Sequence, residues 1–275
     1  MQHALEEAGA RVAVADWDDP SVAWHEFDVA LLRSTWDYAL RPMEFRAWAE
    51  RVSAATQLLN PLSTLRWNGD KHYLAELQRA GVPIVPTRFI EPGEDGHAAV
   101  VAFLGTHGAA ELVVKPAIGA GSRDAQRHSR DDLGAIRTHV DRLIEAGRSV
   151  LLQPYLDRVN VHGESALVYF AGRFSHAVRK GPLLRAGAGA IETLFAPEEI
   201  TARVPSAEEL SLAERALAAG PSRSLLYARI DLLRDGVDRP RLLELELIEP
   251  SLFFNHAPGA AERFAEEILR VCVEP

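Results

Sequence analysis

Acidic residues are concentrated on two stretches near the C-terminus that both read as strands. They are Asp231 in ARIDLL and, in LLELELIEP, Glu244, Glu246 and Glu249. Because side chains alternate along a strand, Arg229 shares a face with Asp231, and Glu244 shares a face with Glu246. If the two stretches pair as a hairpin, three carboxylates and one guanidinium converge. Oxygen ligands without His or Cys favour Mg²⁺, with Mn²⁺ as the alternative.

The alternative for the Glu-x-Glu pair is a solvated strand face whose charges are balanced by arginines on the same strands. Two features favour the metal site: Asp231 stands thirteen positions before Glu244, and a glycine-rich turn lies upstream. Strand alternation places Glu249 on the opposite face from Glu244 and Glu246, unless the strand ends at Pro250 and the chain turns back. We predict that Glu249 contacts the substrate.

The glycine-rich turn is GAGSRD, residues 119–124, and it follows a predicted strand that contains Lys115. Glycines allow backbone N–H groups to approach phosphate oxygens closely, and the lysine adds positive charge. The chain contains neither a G-x-x-x-x-G-K-[ST] loop nor a G-x-G-x-x-G fingerprint. An ordinary surface loop is the alternative. The interpretation as a phosphate-binding loop therefore depends on the acids that follow it in the sequence.

The composition argues against several classes of protein. The 275 residues carry a formal net charge of −9, with an isoelectric point near 5.6, which argues against a nucleic-acid partner. One cysteine cannot form a disulfide framework. No apolar run approaches the roughly 20 residues of a membrane span, and no signal peptide opens the sequence. We therefore predict a cytoplasmic protein without a membrane partner.

Hydrophobic periodicity predicts the elements that position these residues. Two β-hairpins are expected, over 164–180 and over 228–250, and the second carries the acids. The other predicted elements are strands at 11–16, 28–33, within 111–124 and at 149–156, helices at 42–55, within 60–81 (Asp70 to Gly81) and at 258–273, and an extended segment at 82–87. This order predicts an α/β protein whose N-terminal domain has a partly parallel sheet.

The first seventeen residues predict a helix, a turn at Gly9 and then a strand. An α/β domain usually begins with a strand, which leads to the hypothesis that a first strand precedes Met1. A longer upstream reading frame would support this hypothesis, and an in-frame stop immediately before Met1 would contradict it.

The order of these motifs resembles the ATP-grasp superfamily over nearly the whole chain. The motifs are DKHYLAELQRAGVPIVPT, VVKPAIGAGSRD, LLQPYL, R-x-D and E-x-E. The resemblance implies an N-terminal α/β domain at 1–66 and two α+β subdomains, at 67–156 and 157–275, that clasp ATP. It implies roles in ATP binding for two lysines, the glycine-rich loop, a hinge and a ribose-binding acid: Lys71, Lys115, Gly119, Gly121, Ser122, Gln153, Tyr155, Leu156 and Glu164.

The resemblance also implies metal ligands and catalytic groups. The positions that match the family's magnesium ligands are Asp231, Glu244 and Glu246. Glu246 stands where asparagine is usual, which adds negative charge. Arg229 matches the arginine that steadies the transferring phosphoryl group in D-alanine ligases. Lys180 is a candidate contact for the γ-phosphate, with a solvated strand-end lysine as the alternative, and Arg179 is a similar candidate.

Members of this family usually phosphorylate a substrate carboxylate, and an amine then attacks the acyl phosphate. The carboxylate is expected near RSTWDY, directly after a predicted strand of the N-terminal domain. Arg33 would pair with it, with a surface ion pair as the alternative. Ser34, Thr35 and Asp37 would fix an amine or a hydroxyl, and Glu249 would complete the substrate site.

LRSTWDY, the NP before the lysine helix and E-x-E-x-x-EPSLFF resemble one ATP-grasp branch. Its characterised type is the cyclo-ligase that closes O-ureido-D-serine to D-cycloserine. This resemblance implies one small-molecule carboxylate substrate, an amino-acid derivative. The alternatives are an intermolecular carboxylate–amine ligase, which needs two substrates, and a non-catalytic nucleotide-binding module. The sequence leaves open whether the protein forms a homo-oligomer.

Overall fold

The computed structural model describes residues 1–189, 198–222 and 224–273. Its strands form one short parallel pair and two antiparallel sheets. The helices are α1 (Gln2–Glu7), α2 (Pro42–Ala55), α3 (Leu62–Asn68), α4 (Tyr73–Arg79), α5 (Gly96–Thr106), α6 (Leu133–Glu145), α7 (Val159–His162), α8 (Ala207–Ala218) and α9 (Ala260–Val273). The strands are β1 (Val29–Leu31), β2 (Gln57–Leu59), β3 (Arg88–Ile90), β4 (Glu111–Pro116), β5 (Gln126–Ser129), β6 (Val150–Pro154), β7 (Glu164–Phe170), β8 (Arg173–Lys180), β9 (Ile200–Arg203), β10 (Tyr227–Arg234) and β11 (Pro240–Glu246).

The N-terminal part contains the parallel pair β1 and β2, with α2 packed beside them. Pro42 opens α2, at a position where its missing N–H costs no hydrogen bond. Phe45, Trp48 and Val52 recur at helical spacing, and all three are buried in one core with Trp17. The parallel pairing predicted for this part of the chain is therefore present, between 29–31 and 57–59.

The strand predicted at 11–16 is absent, and this prediction was wrong. The stretch makes no sheet hydrogen bonds, and Val14 is 82% exposed. Within the described ranges, β1 pairs with β2 alone, and the segment 11–16 takes the free edge of neither strand. Val12 instead packs partly buried against the core around Phe264.

The four-stranded sheet has the order β3-β6-β4-β5 and lies within 67–156. Asp95 and Asp132 are the N-caps of α5 and α6. Each carboxylate accepts a hydrogen bond from the backbone N–H three residues later in the chain. Val100 and Phe103 from α5 and Ile136 from α6 share one core with the apolar side chains of this sheet. The sheet thus has a helical layer, and β4 and β6 carry predicted site residues.

The helix predicted from Asp70 to Gly81 is α4, and residues 69–72 separate it from α3, a short helix that was not predicted. Asp70 accepts a hydrogen bond from the His72 N–H at 3.0 Å and so shapes the break. The Lys71 N–H donates to the carbonyl of Ala117 at 3.0 Å. The break therefore ties the backbone of Lys71 to the segment that leads into the glycine-rich loop.

The five-stranded sheet has the order β11-β10-β7-β8-β9, and both predicted hairpins are present in it. Leu245 is buried in the core, as expected for the residue between two cavity-facing acids. Asp231 pairs with Glu244, whereas Leu232 pairs with Leu242, so Leu243 is an extra residue in β11. This extra residue is a β-bulge in the strand that carries the acids.

Helix α1 packs against α9, where Leu5 and Phe264 belong to one core. Each sheet lies within one predicted domain range, but this helix pair joins the first range to the last. The domain boundaries therefore stay predictions. None of the helices in the described ranges has the length and apolar character that crossing a bilayer requires.

Candidate active site

A cavity of about 410 Å³ lies between the two antiparallel sheets, below the glycine-rich loop. Predicted site residues from seven separate segments line it. They are Lys71, Lys115, Gly119, Gly121, Ser122, Gln153, Tyr155, Leu156, Glu164, Lys180, Arg229, Asp231, Glu244, Glu246 and Glu249. The predicted residues outside this lining are Arg33, Ser34, Thr35, Asp37 and Arg179.

The hairpin of β10 and β11 brings the predicted catalytic arginine and acids together. Arg229 lies directly opposite Glu246, and Asp231 lies opposite Glu244. Arg229 Nε and Nη2 donate to the two carboxylate oxygens of Asp231 at 2.8 and 2.7 Å, and Nη2 also contacts Glu246. The Arg229 Nη1 donates to the carbonyl of Ser251 at 3.3 Å. These contacts hold a buried guanidinium in one orientation against the cavity.

The acids of the hairpin divide according to their cationic neighbours. Burial raises the pKa of Glu246 to about 7; Arg229 opposes the rise, while Asp231 and Glu244 add to it. Burial acts in the same direction on Asp231, but Arg229 and Lys180 outweigh it and hold the pKa of Asp231 below its usual range. One buried acid of the hairpin is thus firmly ionised, while Glu246 titrates near neutral pH.

Lys71 connects the glycine-rich loop to the acidic strand. Its Nζ lies 3.0 Å from Glu244 Oε1 and donates to the carbonyl of Gly119 at 3.0 Å. Burial lowers the pKa of the neighbouring Lys115, and the positive charge of Lys71 lowers it further. Burial would raise the pKa of Glu244, but the two lysines together hold it below its usual range. The cavity therefore contains two lysines, a buried Lys71 and a half-buried Lys115, beneath a glycine-rich loop.

Lys180 and Glu164 face each other across β7 and β8. Lys180 Nζ lies 2.7 Å from Glu164 Oε1 and 3.9 Å from Asp231 Oδ2. The side chain of Lys180 is 12% exposed, so the alternative of a solvated lysine is wrong. Burial raises the pKa of Glu164 to about 7, with Lys180 opposing and Asp231 adding to the rise. The ribose contact of Glu164 stays a prediction, because its present partner is a lysine.

The glycine-rich loop is fixed at its C-terminal end. Gly121 and Ser122 have φ angles of +62° and +59°, in the left-handed region that favours glycine. Asp124 Oδ2 accepts from Arg148 at 2.6 Å, and Asp124 Oδ1 accepts from Arg142 at 3.1 Å. The loop thus reaches over the cavity from an anchored base.

The hinge at the end of β6, residues 153–156, lines the cavity with side chains whose polar groups form hydrogen bonds within the protein. The amide Nε2 of Gln153 donates to Thr87 Oγ1 at 2.9 Å, and the Tyr155 hydroxyl donates to Asn160 Oδ1 at 2.7 Å. The guanidinium of Arg127 stacks 3.6 Å from the centre of the Tyr155 ring. These contacts favour the backbone of 153–156, including Leu156, as the part that would read an adenine.

Arg179 does not face the cavity. Its Nε donates to the carbonyl of His162 at 3.1 Å, and its Nη1 lies 3.4 Å from Glu199. Neighbouring residues on a strand point to opposite faces, so Lys180 occupies the cavity side of β8. The catalytic role predicted for Arg179 therefore has no support in the structure.

The residues predicted to bind substrate in RSTWDY divide into two groups. Asp37 accepts a hydrogen bond from Trp17 Nε1 at 2.9 Å and one from Arg41, and Ser34 is exposed, so their predicted contacts have no structural support. Arg33 Nη1 and Thr35 Oγ1 are buried and have no hydrogen-bond partner in the part of the chain that the structure describes. Burial lowers the pKa of Arg33.

Sequence reasoning missed the polar side chains that hold β11 in place. Asn60 Nδ2 donates to the carbonyls of Tyr227 and Leu247, each at 2.9 Å, and its Oδ1 accepts from the Leu226 N–H at 2.7 Å. Asn68 Oδ1 accepts from the Leu247 N–H at 2.8 Å. The NP dipeptide containing Asn60 was a visible signal, but a local turn accounts for it equally well.

The acids fit a divalent cation by their chemistry. In the described ranges, no three His, Cys, Asp or Glu side chains surround a common metal position. Instead, Arg229 donates to a carboxylate oxygen of Asp231, and Lys71 forms an ion pair with Glu244. The donors are carboxylate oxygens on facing strands, which suit Mg²⁺, and a cation would favour the ionised form of Glu246. The three magnesium ligands stay predictions.

Solved ATP-grasp ligases share this fold. The ATP-grasp ligase PsnB, complexed with a variant of its minimal precursor, Mg and ADP, has a TM-score of 0.69 and 18% identity over 98% of this chain and 93% of that chain. The D-alanine–D-alanine ligase of Bacillus anthracis, complexed with ATP, has a TM-score of 0.61 and 17% identity over 90% of this chain and 80% of that chain. The predicted ATP-grasp fold is confirmed.

A family model described as the N-terminal domain of D-cycloserine synthetase DcsG matches residues 1–60. The cycloserine biosynthesis protein DcsG of Streptomyces lavendulae is 40% identical to this chain over 98% of its length and 91% of the relative's length. The chain belongs to the DcsG family of ATP-grasp ligases. The crystal structure of D-cycloserine synthetase DcsG has a TM-score of 0.90 and 40% identity, and covers 98% of this chain and 93% of that chain. The prediction of an ATP-dependent ligase is thereby confirmed, with ATP and Mg²⁺ as the cofactors typical of the fold.

Proposed function

We propose that this protein uses ATP to activate the carboxylate of O-ureido-D-serine as an acyl phosphate and then closes the ring of D-cycloserine. The observation that carries the ligase chemistry is the single cavity that unites Lys71, Arg229 and the acids of β11. The substrate comes from the 40% identity with a cycloserine biosynthesis protein. We propose that the reaction needs a single small-molecule substrate and takes place in the cytoplasm.

The two lysines of the cavity support the placement of the ATP phosphates. Lys71 and Lys115 lie beneath the glycine-rich loop, whose N–H groups can approach phosphate oxygens. Binding of the phosphates would compensate the burial that lowers the pKa of Lys115. The backbone of 153–156 lies in the same cavity and would receive the adenine.

We assign Asp231, Glu244 and Glu246 as the residues that hold Mg²⁺, or Mn²⁺ in its place. The bound ion neutralises charge on the phosphates during transfer. Glu246 supplies a charge where the usual asparagine would supply a neutral oxygen, and this compensates part of the positive charge of Arg229.

Arg229 would face the charge that develops on the transferring phosphoryl group. Asp231 positions it by accepting two hydrogen bonds from the same guanidinium. A donor fixed before the reaction need not reorganise in the transition state, which is the main source of electrostatic catalysis. Lys180, 3.9 Å from Asp231, lies at the same edge and would contact the γ-phosphate.

After phosphorylation, the N–O nitrogen of the substrate attacks the acyl carbon, a C–N bond forms, and phosphate leaves with the electrons of the C–O bond. D-cycloserine carries no carbamoyl group, so that group must also leave, by reaction with water. The enclosing loop protects the labile acyl phosphate from water until the ring has closed. Arg33 Nη1, which is buried and has no hydrogen-bond partner within 1–189, 198–222 and 224–273, is the donor that we assign to the organic substrate.

The decisive experiment incubates the purified protein with O-ureido-D-serine, ATP and Mg²⁺ and follows both the ring product, by mass spectrometry, and ADP. We expect equimolar ring product and ADP without a second substrate, and loss of both for Arg229→Met. ADP formation only after addition of a separate amine would favour the intermolecular ligase. Absence of ring product would contradict the proposed substrate.

A further inference from the structure

Glu249 is a buried acid that faces the cavity, and it has no hydrogen-bond or ion-pair partner among the described residues. It is 7% exposed and lines the cavity beside Glu246 and Ser251. Within the described ranges, no side chain or backbone N–H donates a hydrogen bond to its carboxylate, and no cation lies at ion-pair distance. A carboxylate in such a place is unfavourable unless a partner binds it.

The backbone on both sides of Glu249 is held in place, so the carboxylate belongs to a built site. The Tyr227 hydroxyl donates to the carbonyl of Ile248 at 2.6 Å, and Asn68 holds the N–H of Leu247. Pro250 follows directly and restricts the backbone of Glu249 to extended conformations. The side chain is therefore presented to the cavity from a fixed position.

The cations nearest to Glu249 are not free to pair with it. Arg229 is bound to Asp231, Glu246 and the carbonyl of Ser251. Arg33 lies close enough to influence Glu249 electrostatically but forms no ion pair with it. A positively charged group that enters with the ligand would complete this part of the cavity.

This inference rests on the proposed function, because the substrate class sets the geometry. The reacting carboxylate must approach the phosphoryl group beside Arg229, and in an α-amino acid the ammonium group is attached to the adjacent carbon. We propose that Glu249 binds the α-ammonium group of the substrate. Glu249 then recognises the ammonium group of the amino-acid moiety, while the carboxylate reaches the phosphoryl group beside Arg229 and the ureido nitrogen stays within reach of the acyl carbon.

The proposal predicts how the enzyme distinguishes an amino acid from its deamino analogue. A ligand without the ammonium group leaves the buried carboxylate unpaired, and a charge-assisted hydrogen bond of this kind corresponds to a preference on the order of 100-fold in kcat/KM. Replacing Glu249 by the isosteric glutamine removes the charge but keeps the shape, so the preference should fall by about the same factor.

The test measures kcat/KM for O-ureido-D-serine and for 3-(ureidooxy)propanoic acid, which lacks only the amino group. The wild type, Glu249→Gln and Glu249→Asp are compared, with Glu145→Gln, at an exposed position in α6, as the matched control. We expect the amino preference to collapse in the glutamine variant, to recover partly in the aspartate variant, and to be unchanged in the control. Thermal melting of each variant checks that it is folded.

The outcomes separate the two proposals. If the wild type closes the ring and Glu249→Gln retains the full amino preference, the proposal for Glu249 is wrong and the cyclo-ligase function stands. If the wild type acts on neither compound, the proposed function is wrong, and the proposal for Glu249 falls with it. If Glu249→Gln does not fold, Glu249→Asp decides: a reduced amino preference with an unchanged KM for ATP supports the proposal, and an undiminished preference contradicts it.

Discussion

Glu246→Gln should make folding stability less dependent on pH. On folding, the pKa of Glu246 rises to about 7 from the ordinary value of 4.5, first because of burial and then because of Asp231 and Glu244. A raised pKa in the folded state favours the protonated acid, so the stabilisation is complete below pH 4.5 and is lost as the pH rises through 7. At about 1.4 kcal/mol per tenfold change in proton affinity, the wild type loses at most about 3 kcal/mol.

The glutamine variant does not titrate and should therefore gain stability relative to the wild type as the pH rises. We expect the difference in unfolding free energy between the two proteins to grow by about 2–3 kcal/mol in the variant's favour between pH 5 and pH 8. The measurement is urea denaturation with EDTA present, because a bound cation would lower the pKa of Glu246. Glu164 titrates in both proteins and cancels in the difference, and Glu145→Gln serves as the control. An equal difference at both pH values would refute the reasoning.

Three further predictions address the metal, the substrate and the frame of the site. Asp231→Asn and Glu244→Gln should abolish Mg-dependent turnover while circular dichroism stays native; full activity in either variant would overturn the metal assignment. Arg33→Ala should raise the KM for the organic substrate about tenfold and the KM for ATP less than twofold, since only the former would contact its unpaired Nη1. Asn60→Ala should lower the free energy of unfolding by roughly 2–4 kcal/mol in denaturant titrations, because three buried hydrogen bonds are lost; a change below about 1 kcal/mol would contradict that role.

The acidic hairpin could be predicted from the sequence because its information is local. Alternation along β11 fixes which side chains share a face, and the short turn before it fixes the pairing with β10. The glycine-rich loop was visible for the same reason, since its conformation depends on its own glycines. The parts of the site that lie within a single strand, hairpin or turn could thus be predicted from local sequence patterns.

The partners that arise from distant parts of the chain could not be predicted in this way. The stretch at 11–16 has the apolar composition of a strand, but a strand also needs a partner within hydrogen-bonding distance, and no described strand pairs with this stretch. Asp37 carries a carboxylate suited to an amine, but the fold gives it Trp17 and Arg41 as partners. The proximity of Lys71 to Glu244 depends on the helix break at 69–72 and on long-range packing.

Because of the bulge at Leu243, the face of the sheet on which the acids lie does not depend on the number of residues in the strand before them. Leu242 is buried in the core, whereas Leu243 and Glu244 both line the cavity at consecutive positions. Loss of one residue from an ordinary strand would turn every following side chain to the other face. Loss of Leu243 would instead restore regular pairing, keep Glu244 opposite Asp231, and remove only an apolar wall of the cavity. We therefore expect relatives to vary in chain length at this point, and with it in nucleotide fit, while the acids keep their places.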